Sequence, residues 1–364
     1  MPKVPIWKAR KVPAIFVANV RAMPKTGLLL QTLIRYGLVF LLLLCAVLFN
    51  KDLFRQILLE IPEIPVSILL WCCLLAVLYR ILDGVCIYFA GRRHPAHLTI
   101  RNGISTAFSG SFFRVATAGA GMMAAKVVSL NKSGLSYGQG TGLCLFQYIL
   151  YKAVILFMGI LALLFYPDFL TALPVSEELI FAGFLLCILI ILFLLMMTFS
   201  QNFSGFLFSC AFYLCRKKEK AIPILSQLQE EVSLLQEEAR NILHDKKLFS
   251  VLLFLSVLMQ CLFNLIPCMF ADSLSLSVPL IFAAMSATFL LAGAIPLPSG
   301  FGSMELLFTL FLAPFCSASS AATAILVFRF SSTIIPFILG LPSGIHLISL
   351  CQNGKMREKK LSKE

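Results

Sequence analysis

Residues 296–305 read PLPSGFGSME, and this stretch interrupts a region that is otherwise as apolar as lipid. Prolines and glycines break helices, and a broken backbone is tolerated inside a membrane only where protein or a wet cavity satisfies its N–H and C=O groups. Glu305 adds a carboxylate, whose burial in hydrocarbon is costly and therefore points to a function. The stretch predicts an interrupted helical hairpin with a functional site at its turn.

The composition of the whole chain is that of a membrane protein. Of its 364 residues, 59% are hydrophobic and 13% are charged, whereas soluble domains are far less apolar. The formal net charge of +13 comes from basic residues gathered in short segments between apolar runs. Cytoplasmic loops of membrane proteins have this pattern, so nucleic acid is not an expected partner.

The cysteines and histidines predict neither a disulfide framework nor a metal site. Nearly all of the 12 cysteines lie in apolar runs, and the four histidines are scattered without ligand spacing. Sequence motifs for nucleotide binding and for metal-dependent or serine hydrolysis are absent as well. We therefore expect no cofactor, no metal and no catalytic residue.

Apolar segments of about 20 residues predict six full membrane crossings. These segments are 27–49, 65–90, 137–166, 178–200, 247–270 and 319–349. Basic residues before, between and after the spans predict that both termini are cytoplasmic, in a multi-pass protein of the plasma membrane. The predicted organisation is a basic segment at 1–26, a transmembrane domain at 27–350 and a basic tail at 351–364.

Two further apolar segments, 102–130 and 278–315, do not fit as ordinary crossings. Each is broken by small residues, at 118–121 (AGAG) and at 298–302 (PSGFG), and each is followed by a long helix. Hairpins that enter the membrane from opposite sides and return satisfy both patterns. The predicted fold is an all-α polytopic membrane protein, with six full transmembrane helices and two re-entrant helical hairpins in an inverted-repeat arrangement.

An amphipathic helix is predicted near 222–244. Its apolar residues recur every three or four positions, at Leu225, Leu228, Val232, Leu235, Ala239 and Ile242. We interpret it as a cytoplasmic helix that covers the protein surface or packs on a neighbouring loop. Coiled-coil pairing with a partner stays open as the alternative.

Charged residues inside the apolar runs are the candidates for substrate binding. Arg329 lies in the last span and needs a partner, which Glu305 supplies if the second hairpin packs on that span. A guanidinium can bind phosphate oxygens through two parallel hydrogen bonds, so we expect Arg329 to meet a phosphate while Glu305 orients it. The alternative is that this pair only fixes the packing of the hairpin.

The first hairpin has its own candidates around its turn. Arg114 precedes the turn and Lys126 follows it, although Lys126 has a second interpretation as a lysine that reaches the cytoplasmic surface. Glycine N–H groups at helix starts add partial positive charge. The predicted substrate-binding residues are Arg329, Glu305, Arg114, Lys126, Lys152, Gly119, Gly121, Ser299, Gly300 and Gly302.

Arg80 and Asp83 form a further charged pair in the second predicted span. They are three residues apart and can pair along one helix face. That pairing equally serves internal charge neutralisation.

These motifs resemble a known family. The PLPSGFGSME stretch, followed by Arg329, Pro336 and Gly340, resembles the C-terminal signature of the lysylphosphatidylglycerol synthase transmembrane-domain family, also described as flippase-like. Residues 117–121 (TAGAG) with Lys126 and residues 132–136 (KSGLS) resemble its N-terminal hairpin and the loop after it.

The resemblance implies a membrane domain that moves aminoacylated phosphatidylglycerol between leaflets. It also implies that Glu305 and Arg329 are the functional residues of this chain. This chain departs from the family pattern at Gln147, Lys152, Ser299 and Ser303, which leaves the substrate open. A soluble lysyl-transferring domain is not expected after the last span, so lysyl transfer by this polypeptide alone is not expected either.

The leading hypothesis is a lipid flippase that moves a phosphate-bearing headgroup through a polar cavity. The alternative is a membrane subunit of a lipid-modifying enzyme, similar to phosphatidylglycerol lysyltransferase or transferring a sugar, that needs a separate catalytic partner. A third hypothesis is a scaffold that recruits a partner through the amphipathic helix. The expected partner is a membrane phospholipid or another phosphate-bearing lipid, and a second copy of the chain or a separate soluble enzyme stays open.

Overall fold

A computed structural model describes residues 59, 61–94, 98–117, 119, 121–167, 177–215, 222–292 and 302–361. These residues form helices and turns and contain no strand. The predicted basic segment at 1–26, the first predicted span at 27–49 and the proline-glycine stretch at 293–301 lie outside the described residues.

The first half begins with a 3-10 turn at Ile61–Glu63 and continues with two long helices that flank two short ones. They are α1 (Val66–Gly91), α2 (Ile100–Ala116), α3 (Met122–Lys132) and α4 (Tyr137–Phe165). The Thr99 side chain caps α2 by accepting a hydrogen bond from the Asn102 N–H, and Ser136 caps α4 in the same way. The predicted first hairpin is therefore present as α2 and α3, which pack on each other.

The middle of the chain forms three helices. They are α5 (Glu177–Phe199), α6 (Gln201–Cys215) and α7 (Ile222–His244). The axis bends by 99° between Ile188–Phe199 and Gln201–Leu214. The prediction of a simple crossing at 178–200 is therefore incomplete, because the apolar chain turns sharply and continues as α6.

The amphipathic helix α7 packs on the helices α4, α5 and α6, and its predicted cytoplasmic position stays a prediction. Its buried face includes Leu235, Ala239 and Ile242. The buried Gln236 amide donates to the Met197 carbonyl at 2.7 Å and to the Ser204 hydroxyl at 3.0 Å. These bonds tie α7 to the bend between α5 and α6.

The second half repeats the order of long, short, short and long helices. It consists of α8 (Lys246–Cys268), a single turn α9 (Ala271–Leu274), α10 (Val278–Ala292), α11 (Ser303–Leu312), α12 (Ala318–Arg329), a π-helical turn (Phe330–Ile334) and α13 (Ile335–Leu361). The short helices α10 and α11 pack on each other and form the second predicted hairpin.

Four segments of the described chain are long and apolar enough to cross a membrane, and the bent pair α5–α6 raises the number to five. The four are α1, α4, α8 and the continuous stretch Ala318–Leu350. All four coincide with predicted spans. The protein is therefore an all-α polytopic membrane protein.

Each half packs one of its short helices against a long helix of the other half. Helix α2 of the first half packs on α13 of the second, and α10 of the second half packs on α4 of the first. At the centre α1 and α8 run antiparallel, since the Cys72 thiol contacts the Ile266 carbonyl while Cys86 contacts Met259. An inverted repeat with a two-fold axis in the membrane plane would have this arrangement.

Candidate functional site

Glu305 and Arg329 form the ion pair that the sequence predicted. Arg329 Nε donates to Glu305 Oε1 at 2.7 Å, and Arg329 Nη2 donates to Oε2 at 3.3 Å. The Gly302 N–H also donates to Oε2, at 2.8 Å. Glu305 thus joins the start of α11 to the end of α12, and it compensates the charge of the buried arginine.

A second charged group forms around Asp83 on α1. Lys126 Nζ on α3 donates to both carboxylate oxygens, at 2.9 and 2.8 Å, and the Gln147 amide on α4 donates to Oδ1 at 2.8 Å. Lys126 and Asp83 are both buried, with 8% and 3% of their surface exposed. The interpretation of Lys126 as a lysine that reaches the membrane surface is therefore wrong, because its charge is neutralised inside the helix bundle.

Arg80 lies one helical turn before Asp83 and shares this carboxylate with Lys126. The closest approach is 3.6 Å between Arg80 Nη1 and Asp83 Oδ2, which is long for a hydrogen bond. Arg80 Nε is buried and has no hydrogen-bond partner among the described residues. At about 1.5 Å per residue, Arg80 lies about 21 Å from Val66 and about 17 Å from Gly91, so this donor is near the middle of the span.

Arg114 lies in the last turn of α2, just before the break between the two short helices. Its guanidinium is within electrostatic range of Arg80 and Arg329 and of the hydroxyls of Tyr79 and Tyr151. No hydrogen bond or ion pair joins Arg114 to another described residue. We call Arg80, Arg114 and Arg329 the arginine cluster.

Aromatic side chains and a π-helical turn enclose this cluster. The Tyr79 and Tyr151 rings meet edge to face with their centres 6.4 Å apart, and the Arg80 guanidinium lies 5.0 Å from the centre of the Tyr79 ring. The π-helical turn follows Arg329 directly and packs on α1. It contributes Thr333, whose hydroxyl is buried without a partner. Such π-helical turns are frequent at functional sites.

The cations of this region outnumber its acids. Arg80, Arg114, Lys126 and Arg329 face only Asp83 and Glu305, so two positive charges are uncompensated among the described residues. Uncompensated charge inside a membrane is costly, and it is retained where it meets an ion, a substrate or water. The arginine cluster can therefore accept an anion.

The glycines of the two turns play a different part from the one predicted. The Gly119 N–H donates to the Arg114 carbonyl at 2.7 Å, and the Gly121 N–H donates to the Thr117 hydroxyl at 2.6 Å. Since the Gly302 N–H is taken by Glu305, these three groups are not free to hold a headgroup. Gly119 and Gly302 instead have φ values of 95° and 87°, which favour glycine. Their role is to shape the turns.

The remaining predicted residues are not part of the arginine cluster. The Lys152 ammonium lies 5.6 Å from the centre of the Tyr148 ring, and Lys152 lines a small crevice together with Ile191 and Phe289. Ser299 and Gly300 lie outside the described residues. Their predicted roles stay predictions.

The sequence pattern did not predict Tyr79, Tyr151 and Gln147 as site residues, and it predicted Arg80 only as a partner of Asp83. The sequence did contain one indication of them, in the helical spacing of polar residues. Gln147 and Tyr151 are four residues apart, so they share a face of α4, and Tyr79 and Asp83 share a face of α1 in the same way. In the described part of the chain, no group of three or more His, Cys, Asp or Glu residues has an arrangement that could hold a metal ion.

Comparison with known proteins agrees with this architecture. Residues 33–340 match the family model described as the lysylphosphatidylglycerol synthase TM region. No curated protein matches the chain in a sequence comparison. The family match covers both hairpins, three of the four described spans, most of the fourth, and all residues of the arginine cluster. The chain therefore belongs to the lysylphosphatidylglycerol synthase transmembrane-region family.

Proposed function

We propose that this protein is a lipid flippase of the plasma membrane, with both termini in the cytoplasm. It moves a phosphate-bearing headgroup through the arginine cluster while the acyl chains stay in lipid. Membership of a family named after the synthesis of a phospholipid supports a role with membrane lipids.

The observation that carries this proposal is Arg114. It is a cation in the first helix hairpin, it has no ion-pair or hydrogen-bond partner among the described residues, and its helix packs on α1, which carries Arg80. A phosphate compensates such a charge and accepts hydrogen bonds from the planar guanidinium. This shifts the predicted phosphate contact from Arg329, which Glu305 occupies, to Arg114 with Arg80 beside it.

The interrupted helices support transport in addition to binding. Discontinuous helices from two repeats that meet near the midplane are how many secondary transporters form a substrate site. Here the arginine cluster draws Arg114 from the first hairpin and Arg329 from the helix that packs on the second hairpin. A change in how the two halves pack would expose the cluster to one side of the membrane and then to the other.

The alternative function is a membrane subunit of a lipid-modifying enzyme that works with a separate catalytic partner. The family name, which describes a synthase region, is the observation that favours it. The two functions differ in one respect: a flippase moves lipid when it is the only protein in the membrane.

Reconstitution in liposomes with lipids that carry a fluorescent acyl chain tests the proposal. A membrane-impermeant quencher is added to remove the fluorescence of the outer leaflet, and the rate at which the inner-leaflet lipid becomes accessible to it is measured. We expect the unmodified protein to move a phosphate-bearing lipid, and Arg114→Gln, Arg329→Ala and Glu305→Gln to slow the movement at least about tenfold.

The matched control is Arg101→Gln, which removes an exposed cation from the same helix as Arg114. Its rate should equal that of the unmodified protein. If the unmodified protein moves no phosphate-bearing lipid faster than empty liposomes do, the flippase proposal fails and the subunit alternative stands.

A further inference from the structure

We infer that the arginine cluster selects a lipid headgroup that carries two negative charges, such as a terminal phosphate monoester or a pyrophosphate. A phosphodiester, and above all a zwitterionic or aminoacylated headgroup, is disfavoured. This inference rests on the proposed flippase function and names its substrate class.

The first argument is the charge balance. Two positive charges of the region have no acidic counterpart among the described residues. A phosphodiester brings one negative charge, whereas a phosphate monoester brings about −1.5 to −2 near neutral pH. Only the monoester or a pyrophosphate neutralises the cluster, and residual charge in a low-dielectric interior is strongly unfavourable.

The second argument is the supply of hydrogen-bond donors. Arg80 Nε and the Thr333 hydroxyl are buried polar groups without a partner, and they lie on α1 and on the π-helical turn, which pack on each other. The guanidinium of Arg114 is within electrostatic range of Arg80. A terminal phosphate has three exposed oxygens, whereas a diester has two, so the monoester satisfies more of these donors.

The third argument excludes a cationic headgroup. Both acids of the region are already occupied, since Asp83 accepts from Lys126 and Gln147, and Glu305 accepts from Arg329 and the Gly302 N–H. An aminoacyl ammonium group would therefore meet arginines and, in the described part of the chain, no carboxylate that lacks a partner. Like charges at such a site repel, and this repulsion rejects the headgroup.

The experiment compares four lipids with the same fluorescent acyl chain in the liposome assay. They are phosphatidic acid, phosphatidylglycerol, phosphatidylethanolamine and lysylphosphatidylglycerol. We expect the unmodified protein to move phosphatidic acid about tenfold faster than phosphatidylglycerol, which corresponds to a difference of about 1.4 kcal/mol. The other two lipids should move more slowly still.

A variant then tests whether charge causes this order. Arg114→Gln lowers the excess from two positive charges to one, so the preference for phosphatidic acid over phosphatidylglycerol should disappear or reverse. Arg101→Gln, on the exposed part of the same helix, should leave the preference unchanged. A purely structural role of Arg114 would slow all lipids equally and keep their order.

The outcomes separate the inference from the proposed function. If no lipid moves, the flippase function itself is wrong. If lipids move but phosphatidylglycerol or lysylphosphatidylglycerol moves as fast as phosphatidic acid, the function stands and the two-charge selectivity is overturned. If Arg114→Gln leaves the order of the four transport rates unchanged, the two-charge selectivity is also overturned.

Discussion

The ammonium group of Lys126 donates to both carboxylate oxygens of Asp83, at 2.9 and 2.8 Å, and so joins α3 to α1. This contact affects the net charge around the arginine cluster. Asp83 also accepts from Gln147 and lies 3.6 Å from Arg80 Nη1, so one carboxylate faces two cations. One positive charge of this group therefore remains uncompensated among the described residues and adds to the charge of the arginine cluster.

The Asp83–Lys126 pair should be essential to stability as a pair. Asp83→Asn leaves a buried ammonium without a counter-charge, and we expect it to lower the free energy of unfolding by about 3–5 kcal/mol. Adding Lys126→Met to Asp83→Asn should restore much of this loss, since the orphaned charge is then gone. Thermal unfolding in detergent micelles measures both, with the exposed Lys132→Met as control. A double variant that is less stable than Asp83→Asn would contradict this account.

Glu305→Gln should have a smaller effect on stability and a large one on transport. The Glu305 side chain is 23% exposed, so part of the unpaired charge of Arg329 can be solvated, and we expect a loss of about 1–3 kcal/mol. Transport should fall because Arg329 and the second hairpin are no longer held together. The unfolding midpoint and the liposome rate are measured on the same preparation. A normal rate in a destabilised protein would show that the pair only fixes packing.

The two turn glycines should resist substitution for a conformational reason. Gly119→Ala and Gly302→Ala place a Cβ atom at φ values of 95° and 87°, and each should cost about 1–2 kcal/mol of stability. Gly205→Ala is the matched control, because it lies inside α6 with no atom within 4 Å of its added Cβ. That change should be neutral or slightly stabilising, since alanine is the better helix former. Equal losses in all three variants would refute the explanation.

The packing between the two halves predicts which of two glycine substitutions lowers the stability more. A Cβ at Gly340 on α13 would collide with the backbone carbonyl of Phe108 on α2, which cannot move aside easily. A Cβ at Gly159 on α4 would meet the flexible side chain of Leu290 on α10. Gly340→Ala should therefore destabilise by about 1–3 kcal/mol, and Gly159→Ala by less. Unfolding midpoints in one detergent test the order, and the reverse order would contradict the packing.

Much of the fold was predictable from the sequence because lipid imposes strong rules. Apolar length predicted the spans that correspond to α1, α4, α8 and Ala318–Leu350, and the small-residue breaks predicted both hairpins. The bend after Phe199 was not predicted. It depends on Gln236, which donates to the carbonyl of Met197 from a distant helix, and no local pattern reports such a contact.

The candidate site was predictable only in part. The Glu305–Arg329 pair followed from two charges in lipid-like surroundings that had to compensate each other. The Asp83–Lys126 contact did not, because it depends on how α1 and α3 are rotated about their axes. Sequence spacing paired Asp83 with Arg80, whereas the folded chain supplied a better-placed partner. The excess positive charge at Arg80 and in the arginine cluster therefore results from tertiary packing.

The most direct test of the central claim is phosphorus NMR of one equivalent of phosphatidic acid in a detergent that contains no phosphorus. With the unmodified protein and with Arg101→Gln, we predict a shifted, broadened signal from phosphate bound at the arginine cluster. With Arg114→Gln, the signal should return to the position that it has in empty micelles. A shifted signal that Arg114→Gln leaves unchanged, or no shift with any of these proteins, would contradict the claim that this cluster receives a lipid phosphate.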